Sequence, residues 1–517
     1  MTRPRGLSPV ARLAALSGRD GLPQVNNLAY EAATRGRRAD GWDAPDDGPN
    51  SALEYDLALL IRRSRAAYRN IPWIRRAINS LADNEIGAGI VPRFRCASKS
   101  LRIQLQALWN EWIHDADADG VMNFYGLQRL AVLERLIGGE CFIRLRPRRM
   151  EDGLAVPLQI QLLESEQLPL SIFTANAAQY GIELTPFGQR VAYWFYRSHP
   201  GERRYGANLS ELTRVPAAGV IHHYQPLRAG QMRGEPVTAA VLLRTRVFDT
   251  YEDAELARKS ARAQITGFIR PPLVEDGSTP ITGDAPQIVD NAGQINLQPG
   301  TIAELRPGEE ITLASSDDAG AGFADFQREQ KLAMAAGLDI PYELMSGDYS
   351  KVNDRLMRAM MGEFHRGLTA RQDHLTIHQF CRGVVNAWLD TAVLAGAVSI
   401  PGYAENAATR ADARNVDWRA DGWPYLHALQ DVQAKALQVR SGFTSRAAVV
   451  AEMGGYDVED IDAQNADDSA RAESMGLRFD TDVAAPPTAA IELFATPEPE
   501  DDPEKLDEPE DDKESTP

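Results

Sequence analysis

Cysteine is scarce in this chain: Cys96, Cys141 and Cys381 are the only three in 517 residues. They are scattered, odd in number and form no CxxC pair. That argues against both a disulfide framework and a zinc site, and suits a reducing cytosol. Long apolar runs are missing as well. No stretch of about 18 apolar residues occurs, so no membrane span is expected. The N-terminus, MTRPRGLSPVARLAALSGRDG, lacks the continuous apolar core of a secretory signal. Positive charge is also short. The net charge is −18, and the last 22 residues, with 11 acidic and 2 basic side chains, supply −9 of it. An acidic body is the wrong sign for a protein that clings to nucleic acid through its phosphates. It is tolerable for one that nucleic acid slides past.

What is present is a globular composition, 44% hydrophobic and 25% charged, with a length that predicts two to four domains or subdomains. Residues 1–50, rich in Arg, Gly, Pro and Asp, read as an extended arm. Residues 51–236 read as α+β. A helical stretch from about Leu53 to Ala82 breaks near Ile71-Pro72. GAGIVPRFRC follows as a strand, then LRIQLQALWNEWIHDA as an amphipathic helix. NFYGLQRLAVLERLIGGECFIRLRPRR is a helix, a Gly-Gly break and a strand. Residues 156–226 alternate and carry β-branched and aromatic residues, predicting several strands packed on helices.

Residues 237–269 predict one long helix with a stripe of Leu243, Val247, Tyr251, Ala254, Ala257, Ala261, Ile265 and Phe268 at 3–4 spacing, ended by Pro271-Pro272. Residues 270–320 read as a small β-rich insert, and 321–337 as a helix leading back. The stretch 338–353, LDIPYELMSGDYSKVN, reads as a polar loop that ignores the core. A helix to about Leu394 follows, with bends expected near Gly362 and Gly367. The remainder of 354–425 is a Trp-containing connection, 426–480 is helical (426–440 and 444–475), and 481–517 is an acidic, disordered tail. Two helices carrying a compact tip suggest a lever or stalk rather than a substrate pocket.

Catalytic signals are weak. His374 and His378 share a helix face, but Leu375 stands where HExxH needs a glutamate. His222 and His223 on a strand point to opposite faces. AGAGF at 319–323 has no GKS or GKT after it and reads as a turn. Glu164 and Glu166 could do acid–base work, yet no His or Arg constellation follows them. IRRSRAAYRNIPWIRRAI interleaves six arginines with a Tyr and a Trp. Phosphate binding there is weighed against the blander reading of a charged outer helix face. No catalytic residue, metal ligand or cofactor is expected.

Several segments, in order over roughly 30–480, resemble the portal proteins of tailed bacteriophages of the lambda-like family. They include YEAATRGRRADGW (30–42), SRAAYRNIPWIRRAINSLADNEIGAGI (64–90), IQLLESEQLP (160–169), VIHHYQPLRAGQMRGEP (220–236) and DTYEDAELARKSARAQITGFI (249–269). LRPGEEI (305–311), FADFQREQKLAMAAGLDIPYELMSGDYSKVNDRLMRA (323–359) and VRSGFTSRAAVVAEMGGYDVEDIDAQNA (439–466) complete the set. RNIP, GQMRGEP and GLDIPYELMSGDYSKVN in this order carry most of the specificity.

The resemblance implies an α+β, mainly helical portal fold. Its parts would be a wing (51–236), a two-helix stem (237–269 and 321–337), a small β-rich clip (270–320), a tunnel loop (338–353) and a C-terminal helical crown (426–480). It implies a ring, dodecameric in the family, at one capsid vertex of the virion, assembled in the host cytoplasm. The implied partners are the terminase large subunit, head–tail connector proteins, major capsid and scaffold proteins, and double-stranded DNA passing without sequence preference. No membrane is implied. The tunnel loop would present Ser346, Gly347, Asp348, Tyr349, Ser350, Lys351, Asn353 and Arg355 to the channel, and the stem stripe would pack subunits together. The competing expectation is a phage-encoded nuclease or protease with a site in the 156–226 strands.

Overall fold

The computed structural model describes residues 45–170, 178–202, 211–264, 267–270, 310–313, 323–423, 428–454 and 458–477. Most of the predicted N-terminal arm, most of the 270–320 insert and the acidic tail lie outside these. The described chain is mainly helical with small antiparallel sheets, an α+β protein as expected.

Helix α1 (Pro49–Glu54) leads into α2 (Leu57–Asn70) and α3 (Pro72–Ile86). The break falls at the predicted proline: Ile71 is extended, and Pro72 opens α3, where its missing N–H costs nothing. Ile74, Ala77, Ile78, Leu81 and Ala82 recur at helical spacing and are all fully buried. Strand β1 (Val91–Phe94), α4 (Lys99–Trp112) and α5 (Phe124–Gly138) follow, the helices capped by the side chains of Ser98 and Asn123. Gly139, in the left-handed region at φ 87°, stops α5, and β2 (Glu140–Pro147) begins at the next residue. The close approach of Gly234 explains a second glycine: a Cβ there would collide with the carbonyl of Gly139.

β2 is the middle strand between β3 (Leu158–Glu164) and β8 (Val220–Tyr224). One face of this sheet places Cys141, Ile143 and Ile160 in a core with Trp109, Trp112, Phe124, Phe380 and Trp388. The other face, with Phe142, Leu163 and Val220, stacks on a second sheet. That sheet runs in the order β4 (Ala178–Gln179), β5 (Ile182–Leu184), β6 (Arg190–Tyr196), β7 (Leu212–Pro216), and meets the first through Ile182, Tyr193, Phe195 and Val215. The strands expected over 156–226 are therefore present as parts of two stacked sheets.

The long helix expected over 237–269 is shorter. Residues 237–241 are turns and α6 spans Leu242–Gln264. Residues Gly267–Arg270 form β9, antiparallel to β10 (Glu310–Leu313), with Arg270 opposite Glu310. Phe268 and Ile269 after Gly267 suit a pleated surface better than a helix, so Phe268 leaves the helical stripe. This pair is the described part of the β-rich insert. Helix α7 (Phe323–Gly337) returns antiparallel to α6: Thr245 meets Met334, and Tyr251 meets Phe326 with ring centroids 5.3 Å apart.

The stretch 338–353 does not ignore the core. Leu338, Ile340, Tyr342 and Met345 are buried in the cluster that holds Ile74, Leu81 and Phe364, and Tyr342–Ser346 form a short helix, α8. Asp339, Pro341 and Glu343 separate the apolar residues and disguise their common direction. Only the residues from Gly347 onward form an exposed loop.

Helix α9 (Asp354–Arg371), a π-helical stretch (Gln372–Cys381) and α10 (Arg382–Leu394) run on continuously. The departure from α geometry lies in that wider stretch, not at Gly362 or Gly367, which sit inside α9. There the side chains of Gln372 and Thr376 bond the carbonyl and carboxylate of Glu85, each at 2.7 Å, and Gln379 brackets the backbone of Tyr224. The connection after 400 contains α11 (Ala407–Ala413) and β11 (Val416–Arg419), which pairs with β1. Helix α12 (Ala428–Arg440) follows. Within the helix expected over 444–475 the described residues form α13 (Arg446–Gly454) and α14 (Val458–Met475), with 455–457 outside them.

Candidate functional site

The loop between α8 and α9 is an ordered turn on a buried base. Ser346 ends α8 half-buried, while Gly347, Asp348, Tyr349, Ser350, Lys351 and Asn353 are exposed. Gly347 adopts φ 75° and donates its N–H to the Glu343 carbonyl at 2.7 Å, closing the helix. The Asp348 carboxylate accepts from the Ser350 hydroxyl at 2.6 Å and the Ser350 N–H at 3.1 Å. Those hydrogen bonds, the hydroxyl's first, hold its carboxyl below the usual range. Asn353 caps α9 by accepting from Leu356 N–H at 2.8 Å, and Arg355 lies exposed on the first turn of α9. Arg76 of α3, absent from the predicted set, donates from Nε to the Leu344 carbonyl at 2.9 Å and lies beneath Gly347. Among the described residues neither Lys351 nor Arg355 has an ion-pair partner, though the Lys351 charge adds to the lowering of the Asp348 carboxyl.

The α6 stripe faces away from its own subunit. Leu256, nine residues on from Val247 and so on the other side of the helix, is 66% exposed, while on the stripe itself Leu243 is 78% and Val247 61% exposed. Ala254 and Ala257 are exposed beside them. Tyr251 differs, because its ring lies on Phe323 and Phe326 of α7. The side chain of Ala261 and the whole of Ile265 lie outside the described residues. The opposite face of α6 supplies Leu242, Thr245, Phe248 and Glu255, which are buried.

The polar residues of the wider 51–236 region hold the fold. Glu140 is fully buried and accepts from Arg233 Nε and Ser165 Oγ, both at 2.7 Å, and from Gly234 N–H at 2.9 Å. Burial alone would raise its carboxyl; the Arg233 guanidinium first, then His222 and the Arg233 hydrogen bond, hold it well below the ordinary range instead. The RG of GQMRGEP thus clamps a buried carboxylate. Arg135 and Glu85 form a second buried pair at 2.6 Å. His222 and His223 do point to opposite faces, toward Glu140 and Gln379 respectively.

Glu164 and Glu166 do not share a strand face, since Glu164 ends β3 and Glu166 lies in the turn after it. With His199 they make the one carboxylate–histidine trio of metal-ligand spacing found among the described residues. Arg65 already fills that space, 2.6 Å from Glu166, 3.4 Å from Glu164 and 2.5 Å from Glu134. The group is an ion-pair cluster, in which burial pushes Glu134 up to about 7. This also splits the six-arginine segment: Arg65 faces inward to acids and Arg76 braces a loop, so they form no single phosphate-facing strip. His374 and His378 are exposed on the π-helical stretch. The enzyme alternative for residues 156–226 finds no support in these contacts.

A family described as phage portal protein, lambda family, matches residues 35–372. The chain is 22% identical over 506 residues to the portal protein of Escherichia phage N15, covering 90% of this chain and 94% of that one. It is 21% identical over 508 residues to portal protein B of Escherichia phage lambda, with the same two coverages. A solved structure titled as the neck of a native GTA particle computed with C12 symmetry aligns over 80% of this chain and 97% of its own, at 14% identity and TM-score 0.43.

Proposed function

The chain belongs to the lambda family of phage portal proteins, and from that premise we propose that it closes into a ring of about twelve subunits at one capsid vertex. The ring's channel passes double-stranded DNA during packaging and ejection. In this reading residues 51–236 are the wing, α6 and α7 the stem, the 270–320 insert with β9 and β10 the clip, and 426–480 the crown. The clip meets the terminase large subunit during packaging and head–tail connectors afterwards, and the wing meets capsid and scaffold proteins. The protein resides in the virion, having assembled in the host cytoplasm. It performs no catalysis; the motor is a separate ATPase.

One observation carries the reading. A single subunit leaves Leu243 and Val247 bare on one face of the stem helix. An apolar stripe of this kind marks a partner surface, and a face opposite to the intrasubunit contact suits a head-to-tail neighbour whose rotation closes a ring. The tunnel loop is the short segment from Gly347 to Asn353. Its charges of both signs fit weak, sequence-blind contact with passing phosphates, since tight binding would stall movement. Class averages from negative-stain microscopy of the purified chain should show rings with a central hole and roughly twelve-fold symmetry. Deleting Gly347–Val352 should leave those rings intact while impairing DNA packaging or retention. Failure of the deletion variant to form rings would overturn the loop assignment; a compact dimer from the intact chain would overturn the ring.

A further inference from the structure

The two stacked sheets do not close along their whole length. Residues directly opposite on paired strands share a face, so Phe142, Arg144 and Arg146 of β2 lie beside Leu163, Gln161 and Gln159 of β3. Phe142 and Leu163 are covered by the second sheet. Arg144, Arg146 and Gln161 continue that face past the covered part. There they line a cavity of about 360 Å3 whose other wall includes Tyr196, Arg197 and Thr213.

The two arginines on the β2 wall of this cavity have no carboxylate partner among the described residues. Arg146 donates to the side-chain carbonyl of Gln161, and Arg148 beyond it to that of Gln159 at 2.7 Å. Both acceptors are neutral amides. Arg144, half-buried, has no hydrogen-bond or ion-pair partner among the described residues. Arg197 holds Glu211 at 2.9 Å, but that pair lies at the exposed rim. Burial, then the neighbouring Arg144 and Arg148, lower the basicity of Arg146 against a smaller opposing effect of the Asp119 carboxylate, as expected where cations are crowded together. A protein of net charge −18 has here a concave site with guanidinium groups on two walls.

We propose that this crevice between the sheets is a phosphate-ester site, with Arg144 and Arg146 on one wall and Arg197 on the other gripping the phosphoryl oxygens. Two residues apart on one strand face, Arg144 and Arg146 project side by side, their Cα atoms roughly 7 Å apart. That spacing lets both forks address one tetrahedral group, whereas a planar carboxylate is satisfied by a single fork. The Thr213 hydroxyl and the Gln161 amide N–H groups offer further donors. The volume exceeds a lone phosphate and leaves room for the group it esterifies. Two sources share this chemistry: the backbone of DNA, and a small free phosphate compound.

The test is thermal unfolding of the full-length protein in increasing inorganic phosphate, with ionic strength held constant by sodium chloride. A saturable rise in Tm is expected. Arg144→Gln removes no hydrogen bond or ion pair among the described residues, so the variant should fold normally and bind phosphate about tenfold more weakly or worse. Arg197→Gln, on the exposed opposite wall, serves as a second, independent reading. In parallel, fluorescence anisotropy with a short duplex DNA at fixed salt separates the sources. Loss of affinity for both phosphate and duplex identifies a DNA-backbone site; loss for phosphate alone identifies a small phosphate compound. No phosphate-specific rise in the unaltered protein, or an equal rise in both variants, overturns the proposal. So does a loss confined to duplex DNA, which would reduce these arginines to diffuse surface charge.

Discussion

At the scale of single residues, the most constrained group is His222. Its Nε2 lies 2.9 Å from Glu140 Oε2 and its Nδ1 3.1 Å from Arg190 Nη1. A guanidinium can only donate, so Nδ1 accepts and carries no proton; the neutral Nε2–H tautomer then donates to Glu140. A second proton would face Arg190 directly. Burial, reinforced by Arg190 and Arg233, accordingly pushes the imidazole down to about 4 despite the carboxylate beside it. The unfolded chain takes up this proton near pH 6.5 and the folded chain does not, so stability should fall as pH drops from 6.5 toward 4. The loss is of order 3 kcal/mol at the lower end. Glu140 adds to it below its ordinary carboxylate range, since its depressed folded value is stabilising only while it is ionised. Glu134 acts with the opposite sign: raised to about 7, it favours the fold when protonated, and its contribution is lost as pH rises through 7. Urea midpoints between pH 7 and 5, above the range where Glu140 beside it titrates, isolate the histidine in a comparison of the unaltered protein with His222→Gln, because the contribution of the separate Glu134 cancels in the difference; equal slopes would reject the neutral tautomer. Removing the clamp should be harsher. Arg233→Met strands the buried Glu140 charge and should cost about 3–5 kcal/mol, read from the same denaturation curves. Arg233→Met with Glu140→Leu should recover part of that loss.

At the scale of elements, the loop base and the loop tip behave differently, and Gly347 is the joint. Its φ of 75° is costly for any other L-residue, and a Cβ there would come 3.2 Å from Arg76 Nη2. Gly347→Ala should therefore cost about 1 kcal/mol and loosen the turn, seen as faster hydrogen exchange at the Gly347 and Asp348 amides with the exchange of α3 unchanged. An unaltered loop would show that Arg76 simply moves aside. This joint was only half legible in the sequence. GDYSKVN announces a turn by its small polar residues, but in LDIPYELM the apolar residues alternate with Asp339, Pro341 and Glu343, a two-residue spacing that points to a strand, whereas the segment folds into a turn and a short helix that buries Met345 instead of Leu344. Their burial depends on α3, more than 250 residues earlier. The same reason hid Arg76, whose partner lies 268 positions away, and β11, whose four residues are too few to show a period and which exists because β1 pairs with it. Helices with internal periodicity, α3 to α5 and α7, were readable because local spacing alone determines which face they bury. The end of α6 was not, since a strand formed by pairing with a distant segment overrode its helical pattern.

At the scale of the whole molecule, what matters is which apolar surface the subunit leaves unused. Leu243 and Val247 lie one turn apart on α6, turned away from α7, while Leu242, Thr245 and Phe248 bind α6 to its own subunit. Internal and external faces of the stem are thus separable by mutation. Replacing Leu243 and Val247 with aspartate disturbs little of the packing among the described residues of the subunit, so its unfolding midpoint should move by no more than about 0.5 kcal/mol per site. In a closed ring each of these residues meets a neighbour, and the change recurs at every interface. A charge buried against an apolar neighbour costs several kcal/mol, and a ring multiplies that penalty by its subunit number. Sedimentation velocity should therefore show the double variant as folded monomer at concentrations where the unaltered chain forms rings. Thr245→Asp, on the buried face, should instead destabilise the monomer itself. If the Leu243 and Val247 variant still forms rings, the subunits meet through another surface, and the bare face of α6 lines the channel or the outside of the stem.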